Sequence, residues 1–266
     1  AEFVAAHPDA APVGPDGAVC PPPDGWQGVC PTHPEYRRNR MDAFAAALRE
    51  HAIDGIWLDY HHSHASWEQA EPNLPDTCFC PRCVAAFARE TGAPPRRRAD
   101  GAFDPGDDAW VRWRCDLLTD WVREFREIRD RVRPSALLGT FHCPWSDTDR
   151  GGALTRKLAI DLKAQARHID VFSTMPYHAR FGHAGDTGWI SRQTAWLGRH
   201  LPGKRIWPIV QLSDWGTPVP LGDVPLALDH GTRRPSSGVM VFAWGGLTGQ
   251  PEKIEAMTRF YRQIAP

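Results

Sequence analysis

At 266 residues the chain is long enough for one large domain with a substantial core. Its 42% hydrophobic and 24% charged residues are ordinary for a globular protein, and a net charge of -1 gives no reason to expect nucleic acid or an anionic surface as partner. No apolar run approaches the roughly 20 residues that cross a bilayer, so a soluble protein with no membrane partner is expected.

In chain order, residues 1–34 are rich in Pro, Gly and Ala and read as a loop region. A helix is expected over 35–50, with Tyr36, Phe44 and Leu48 on its apolar side, leading into a strand over 55–60 (GIWLDY). Residues 61–106 form a long insertion. A long amphipathic helix follows over 107–131, with an apolar stripe through Val111, Cys115, Leu118, Val122, Phe125 and Ile128. It opens with acids and ends in a basic turn, as the helix dipole favours. Further strands are expected over 136–142, 170–177, 205–212 and 238–245. Helices over 154–167, 190–200, 224–231 and 251–264 come after them.

Each strand run is almost continuously apolar, as in a parallel sheet covered on both faces. The last four begin at 136, 170, 205 and 238, and spacings of 34, 35 and 33 residues each fit one βα unit. No glycine-rich phosphate turn follows any strand, and the large insertions come after strands, where barrels build their sites. The expected fold is therefore α/β, a (β/α)8 TIM barrel truncated to strands four to eight, with long loops after the strands. Residues 1–266 would be a single domain with three upstream βα units absent. Twelve Trp and 25 Pro fit shaped loops and flat surfaces on which sugar rings stack, although Trp also fills large cores.

Cys78, Cys80 and Cys83 lie within six residues (CFCPRC). Three thiols so close converge on one point more readily than they form bridges, and they leave one position of a tetrahedral zinc to fill. Cys30 is the first choice for that ligand, with Cys20 and His33 behind it, and the Zn2+ so held would be structural. Ordinary disulfides are the alternative. Cys115 and Cys143 carry no assigned role.

The order Cys-Pro-x-x-Pro-x-Tyr-Arg from Cys30 to Arg37, a strand ending in an acid, then Cys-x-Cys-x-x-Cys resembles the zinc-bearing trimeric β-galactosidases. More closely, DGIWLDY, CFCPRCVAAF, WVRWR, FHCPWSDTD, DVFSTMPYH, PIVQ and GVMVFAWG, taken together, resemble the hypothetical glycosyl hydrolase barrels over the whole chain. The resemblance implies a barrel hydrolase of glycosidic bonds and a structural zinc on four cysteines. It departs from the β-galactosidases at the fourth strand, which ends in Asp59 rather than Asn-Glu, and at the seventh, where Gln211 replaces Glu. Galactosidase activity is therefore not carried over.

Glycoside hydrolysis needs two carboxyl groups across the scissile bond. Asp59, at the carboxyl end of a buried strand with Gly55 and Trp57 on the same side, is the leading catalytic candidate. The resemblance adds a nucleophile role. Asp149 and then Asp147 are the candidates for the second carboxylate, ahead of Asp186, Asp214, Glu68 and Glu71. Trp57, His142, Tyr177, His178, Gln211 and Trp244 fall at or near strand ends and would bind a carbohydrate substrate. Two other functions compete: a non-catalytic carbohydrate-binding barrel, and a metal-dependent hydrolase using His61, His62 and His64.

Overall fold

A computed structural model of the protein describes residues 1–264. A short helix, α1 (Glu2–Ala6), opens the chain, and α2 (Pro34–Glu50) leads into β1 (Gly55–Leu58). The insertion that follows carries α3 (Pro81–Thr91), and α4 (Asp108–Val132) runs from it into β2 (Leu137–His142). Two short helices, α5 (Ala153–Arg156) and α6 (Leu162–Gln165), precede β3 (Val171–Thr174). Then come α7 (Gly188–His200), β4 (Arg205–Ile206), β5 (Ile209–Gln211), α8 (Asp223–Thr232), β6 (Met240–Phe242), α9 (Trp244–Leu247) and α10 (Pro251–Ile264). Among these residues no helix is long and apolar enough to cross a membrane.

All strand pairs are parallel. One sheet has the order β1-β2-β3-β4 and the other pairs β5 with β6. Neighbours in the sheet are neighbours in sequence, each reached through helical crossovers. The chain is thus an α/β fold built on parallel sheet.

Two expected elements are corrected. The strand over 205–212 divides at Trp207–Pro208, because proline has no N–H to continue a ladder. Trp207 N donates to Phe172 O at 3.0 Å on the β3 side, and Pro208 O accepts from Met240 N at 2.8 Å on the β6 side. The segment thereby passes from one sheet to the other. The helix expected over 154–167 breaks around Ala159 (φ +57°). There the buried guanidinium of Arg114 takes the carbonyls of Arg156 and Lys157, each at 2.9 Å, and Leu158 O accepts Ser63 N. These bonds fasten the insertion after β1 to the α5–α6 turn.

The main core lies where α2 and α4 cover β1 to β3, through Phe44, Leu48, Val122, Phe125, Leu138 and Phe172. A second core belongs to the insertion, where Phe79 stacks between Phe103 (5.4 Å) and Trp110 (4.7 Å). Residues 1–33 are more ordered than a bare loop. Cys30 N donates to Ala10 O, Phe79 N to Val13 O and Phe103 N to Pro15 O, so this arm is laced onto the insertion. A third core joins α8 and α10 to β5 through Val210, Leu228 and Phe260.

Candidate functional site

At the carboxyl end of β1 the chain turns sharply, and Tyr60 sits in the left-handed region at φ +51°. A bulky residue there is strained, and such outliers cluster at functional sites. The turn leaves Asp59 and Tyr60 facing a cleft of about 590 Å³, lined also by Trp26, Trp57, His62 and Trp121. Tyr60 N donates to Asp59 Oδ1 at 2.9 Å, and Tyr60 Oη donates to Glu68 Oε2 at 3.4 Å. One tyrosine therefore links two carboxylates. Partial desolvation against the cleft raises the pKa of Asp59, although the hydrogen bond it accepts from Tyr60 N opposes this. Burial, then repulsion from Asp59, pushes Glu68 up to about 7. Glu68 is held in turn by Arg180, whose Nε donates to the Glu68 carbonyl at 2.7 Å while its guanidinium lies 4.5 Å from the Trp215 ring centre.

The other strand-end residues fall into three groups. Tyr177 joins the pair: it is buried, packs on Phe242 at 4.9 Å, and its phenol is raised by burial and then by the charges of Glu68 and Asp59. Trp57, His142, His178 and Gln211 are largely committed to the protein. Trp57 lies so close over Gly139 that a Cβ there would meet its ring at 2.2 Å, and its Nε1 donates to Ser173 Oγ at 3.0 Å. Gln211 is fully buried, accepting from Arg180 N and donating to Ser213 O. His142 donates from Nδ1 to Cys143 O, and burial lowers its pKa to about 4. His178 is buried 3.2 Å from Asp223 Oδ2. Trp244, by contrast, is 60% exposed and stands past β6, at the far end of the strand order from Asp59.

Among the remaining acids, Asp149 accepts Ser146 N at 2.7 Å and caps its own loop, while Asp147 is exposed on the same turn. Asp214 is claimed by Lys253, Gln250 and the Val219 amide, and the Lys253 bond holds it below the usual carboxylate range. Asp186 is paired with Arg192. The candidate second carboxyl beside Asp59 is thus Glu68, which follows it by nine residues. Its sequence signal was weak, because only the path of the insertion brings it back to the strand end.

The three histidines after β1 do not converge. His61 Nε2 donates to Leu118 O at 2.8 Å. His62 donates from Nδ1 to Ser63 O and accepts Trp67 Nε1 on its other nitrogen. His64 accepts Gly28 N at 3.0 Å and donates to Pro21 O, and a side chain at Gly28 would collide with its ring at 2.3 Å. Neutral rings with both nitrogens used, as in His62 and His64, leave no lone pair for a metal. His7, Asp9 and His33 form a second cluster near the start of α2, their ligand atoms within 4.8 Å of one another. His33 Nδ1 accepts Tyr36 N, so its proton sits on Nε2 facing Asp9 at 3.5 Å, and Arg82 also binds Asp9.

Cys30, Cys78, Cys80 and Cys83 are a different case. All four are buried and unbridged, and their sulfurs lie within 4.8 Å of one another. Cys30 Sγ is 3.4 Å from Cys80 Sγ and 3.5 Å from Cys83 Sγ. Tetrahedral zinc with bonds of about 2.3 Å sets sulfurs roughly 3.8 Å apart, so the set fits such an ion. Val13 N and Cys83 N point at Cys78 and Cys80 sulfurs, as amides around thiolate centres do. Hydrogen bonds from Cys78, Cys80 and Cys83 hold the Cys30 thiol below its ordinary range. Cys20 and His33 lie outside the four-sulfur set.

No protein-family model matches the chain. A search of curated proteins finds no match either. Solved structures do share its fold. A β-galactosidase from the haloarchaeon Halorubrum lacusprofundi superposes with a TM-score of 0.70 at 14% identity, over 97% of this chain and 46% of that one. A β-galactosidase from Bacillus circulans sp. alkalophilus gives 0.66 at 12% identity, over 99% and 44%. The PgaB (BpsB) glycoside hydrolase domain from Bordetella bronchiseptica gives 0.64 at 15%, over 87% and 63%. In each case the chain spans less than two thirds of the other protein's length. At these identities the likeness is one of fold alone, an α/β fold with parallel sheet similar to that of these three proteins.

Proposed function

We propose that the protein is a glycoside hydrolase acting on an oligo- or polysaccharide, with Asp59 as nucleophile and Glu68, rather than Asp149 or Asp147, as general acid. What carries the reading is the pair of carboxyls joined through Tyr60 at the carboxyl end of β1. Barrel enzymes place their chemistry at that end of the strands, and β1, β2, β3, the divided pair β4–β5, and β6 are read as the fourth to eighth strands of a (β/α)8 barrel. These roles need Asp59 ionised and Glu68 protonated, and a Glu68 carboxyl raised to about 7 holds its proton over a far wider pH range than an ordinary glutamate. Glu68 gives that proton to the glycosidic oxygen as the bond to the anomeric carbon breaks, and an Asp59 oxygen forms an ester to the same carbon. Water then displaces Asp59, losing its proton to the Glu68 carboxylate and restoring both groups. A group near pH 7 suits both halves of this cycle.

The four thiols are read as a structural zinc centre, which would tie residues 10–30 and the insertion into one wall of the cleft. A screen of aryl glycosides and disaccharides tests the function. Turnover with retained anomeric configuration, lost in Asp59→Asn, is the expected result. Undiminished turnover in that variant would remove Asp59 from the chemistry. Sugar binding without turnover in the unaltered protein would favour the non-catalytic reading.

A further inference from the structure

Two large aromatic side chains are left in water beside the carboxyl pair. Trp26 is 44% exposed and Tyr60 is 48% exposed, yet their rings are stacked, with centres 4.9 Å apart and planes 29° apart. They come from separate segments, and both are held in place. Trp26 follows a tight turn in which Asp24 and Gly25 take left-handed backbone at φ +50° and +83°. Asp24 Oδ2 accepts Gln69 Nε2 at 3.0 Å, tying that turn to the residue after Glu68. Tyr60 is held by its bond to Glu68 and by its own left-handed backbone. Exposed aromatics ordinarily cost solvation and gain nothing, and here two strained residues, Asp24 and Tyr60, and two side-chain bonds hold a pair of them at a cleft mouth.

We infer that Trp26 and Tyr60 are the subsite for the sugar on the leaving-group side of the bond, so that the substrate carries a second pyranose there. The assignment rests on the proposed role of Glu68. The acid must face the glycosidic oxygen, and the ring whose hydroxyl touches that acid lies on the side where the departing sugar sits. Apolar pyranose faces stack on flat aromatic rings, whereas a small aglycone would leave the platform wet. Substrates ending in a second sugar would therefore be favoured over glycosides of small alcohols.

Binding of lactose, cellobiose and chitobiose, each with its non-reducing-end monosaccharide, can be measured by NMR saturation transfer and titration calorimetry. The full 266-residue chain is compared with Trp26→Ala and Tyr60→Gly. At least one disaccharide should bind the unaltered protein about tenfold more tightly than its monosaccharide, and Trp26→Ala should remove about that tenfold. Monosaccharide affinity should stay unchanged in Trp26→Ala, the variant that leaves the bond from Tyr60 to Glu68 in place. Tyr60→Gly serves as the second variant because glycine adopts φ +51° without strain, and circular dichroism confirms that each is folded. Disaccharide binding equal in all three proteins overturns the platform, as does a panel in which no disaccharide outbinds its monosaccharide. The hydrolase reading is judged separately by Asp59→Asn. Turnover lost there with Trp26→Ala unaffected sinks only the platform, and a Trp26-dependent disaccharide site without any turnover sinks only the chemistry.

Discussion

Asp59 and Glu68 are linked through Tyr60, and burial together with repulsion from Asp59 lifts Glu68 to about 7. As an acid Glu68 must be protonated, so activity should fall as pH rises through about 7. Asp59 must be ionised, so the acid limb should lie above the usual carboxylate range, because Asp59 is raised too. Glu68→Gln should lower turnover roughly a hundred- to ten-thousand-fold and abolish the alkaline limb. A profile that keeps its limb near 7 in that variant would assign the limb to another group. The shift also has a stability consequence. A carboxyl raised from 4.5 to about 7 on folding favours the folded state fully below its unfolded value, and that contribution is lost as pH rises through about 7. Above that pH, Glu68→Gln should melt higher than the unaltered protein even as it loses activity. Tyr60 makes a related case. Its left-handed backbone costs about 1–2 kcal/mol, and its ring is 48% exposed. Tyr60→Gly should therefore hold or raise the melting midpoint, whereas Tyr60→Ala, which keeps the strain, should lower it.

At the level of elements, the cysteine insertion is the part whose stability depends most on one point. Its core is small, built on Phe79, Phe87, Phe103, Trp110 and Trp113 around the four sulfurs. Purified protein should carry one zinc per chain. Cys80→Ser should release it and free the amides of Phe79 and Phe103 from Val13 and Pro15 for hydrogen exchange. A loss of about 3 kcal/mol would lower the melting midpoint by roughly 10 °C in a chain of this size. Zinc-free protein with Cys30 bridged to a neighbour would reverse the assignment. Much at this scale was legible in sequence. The helix over 251–264 begins at Pro251 as expected, and the strand runs near 55, 136 and 170 form parallel β1, β2 and β3. The departures have physical causes outside periodicity. Pro208 divides a run that reads as one strand, and Arg114, 42 residues from Arg156, takes the carbonyls that a helix over 154–167 would use. The site was less legible than the fold, because Glu68 and Trp26 reach Asp59 only through irregular segments that carry no period to read.

For the molecule as a whole, the open flank of the sheet has the largest consequence. Among the described residues β1 pairs on one side only, with β2. Its residues Gly55, Ile56 and Trp57 are only partly covered, and Ile56 and Trp57 line the same cleft as Asp59. An unpaired strand edge next to apolar side chains is a template for another strand. The strand itself offers no protection of its own, since β1 (GIWL) has neither a charge nor a proline. The 266-residue chain by itself should therefore self-associate at micromolar concentration, and association should be suppressed by Ile56→Lys, which puts a charge on that flank. Sedimentation velocity across a concentration series reads this directly. Association should also hinder sugar binding, because the same surface borders Asp59 and Tyr60, so affinity for a disaccharide should weaken as protein concentration rises. A chain that stays monomeric at all concentrations, with Ile56→Lys no different, would mean that α2 and residues 26–31 already shield the edge, and the cleft would then be complete as it stands.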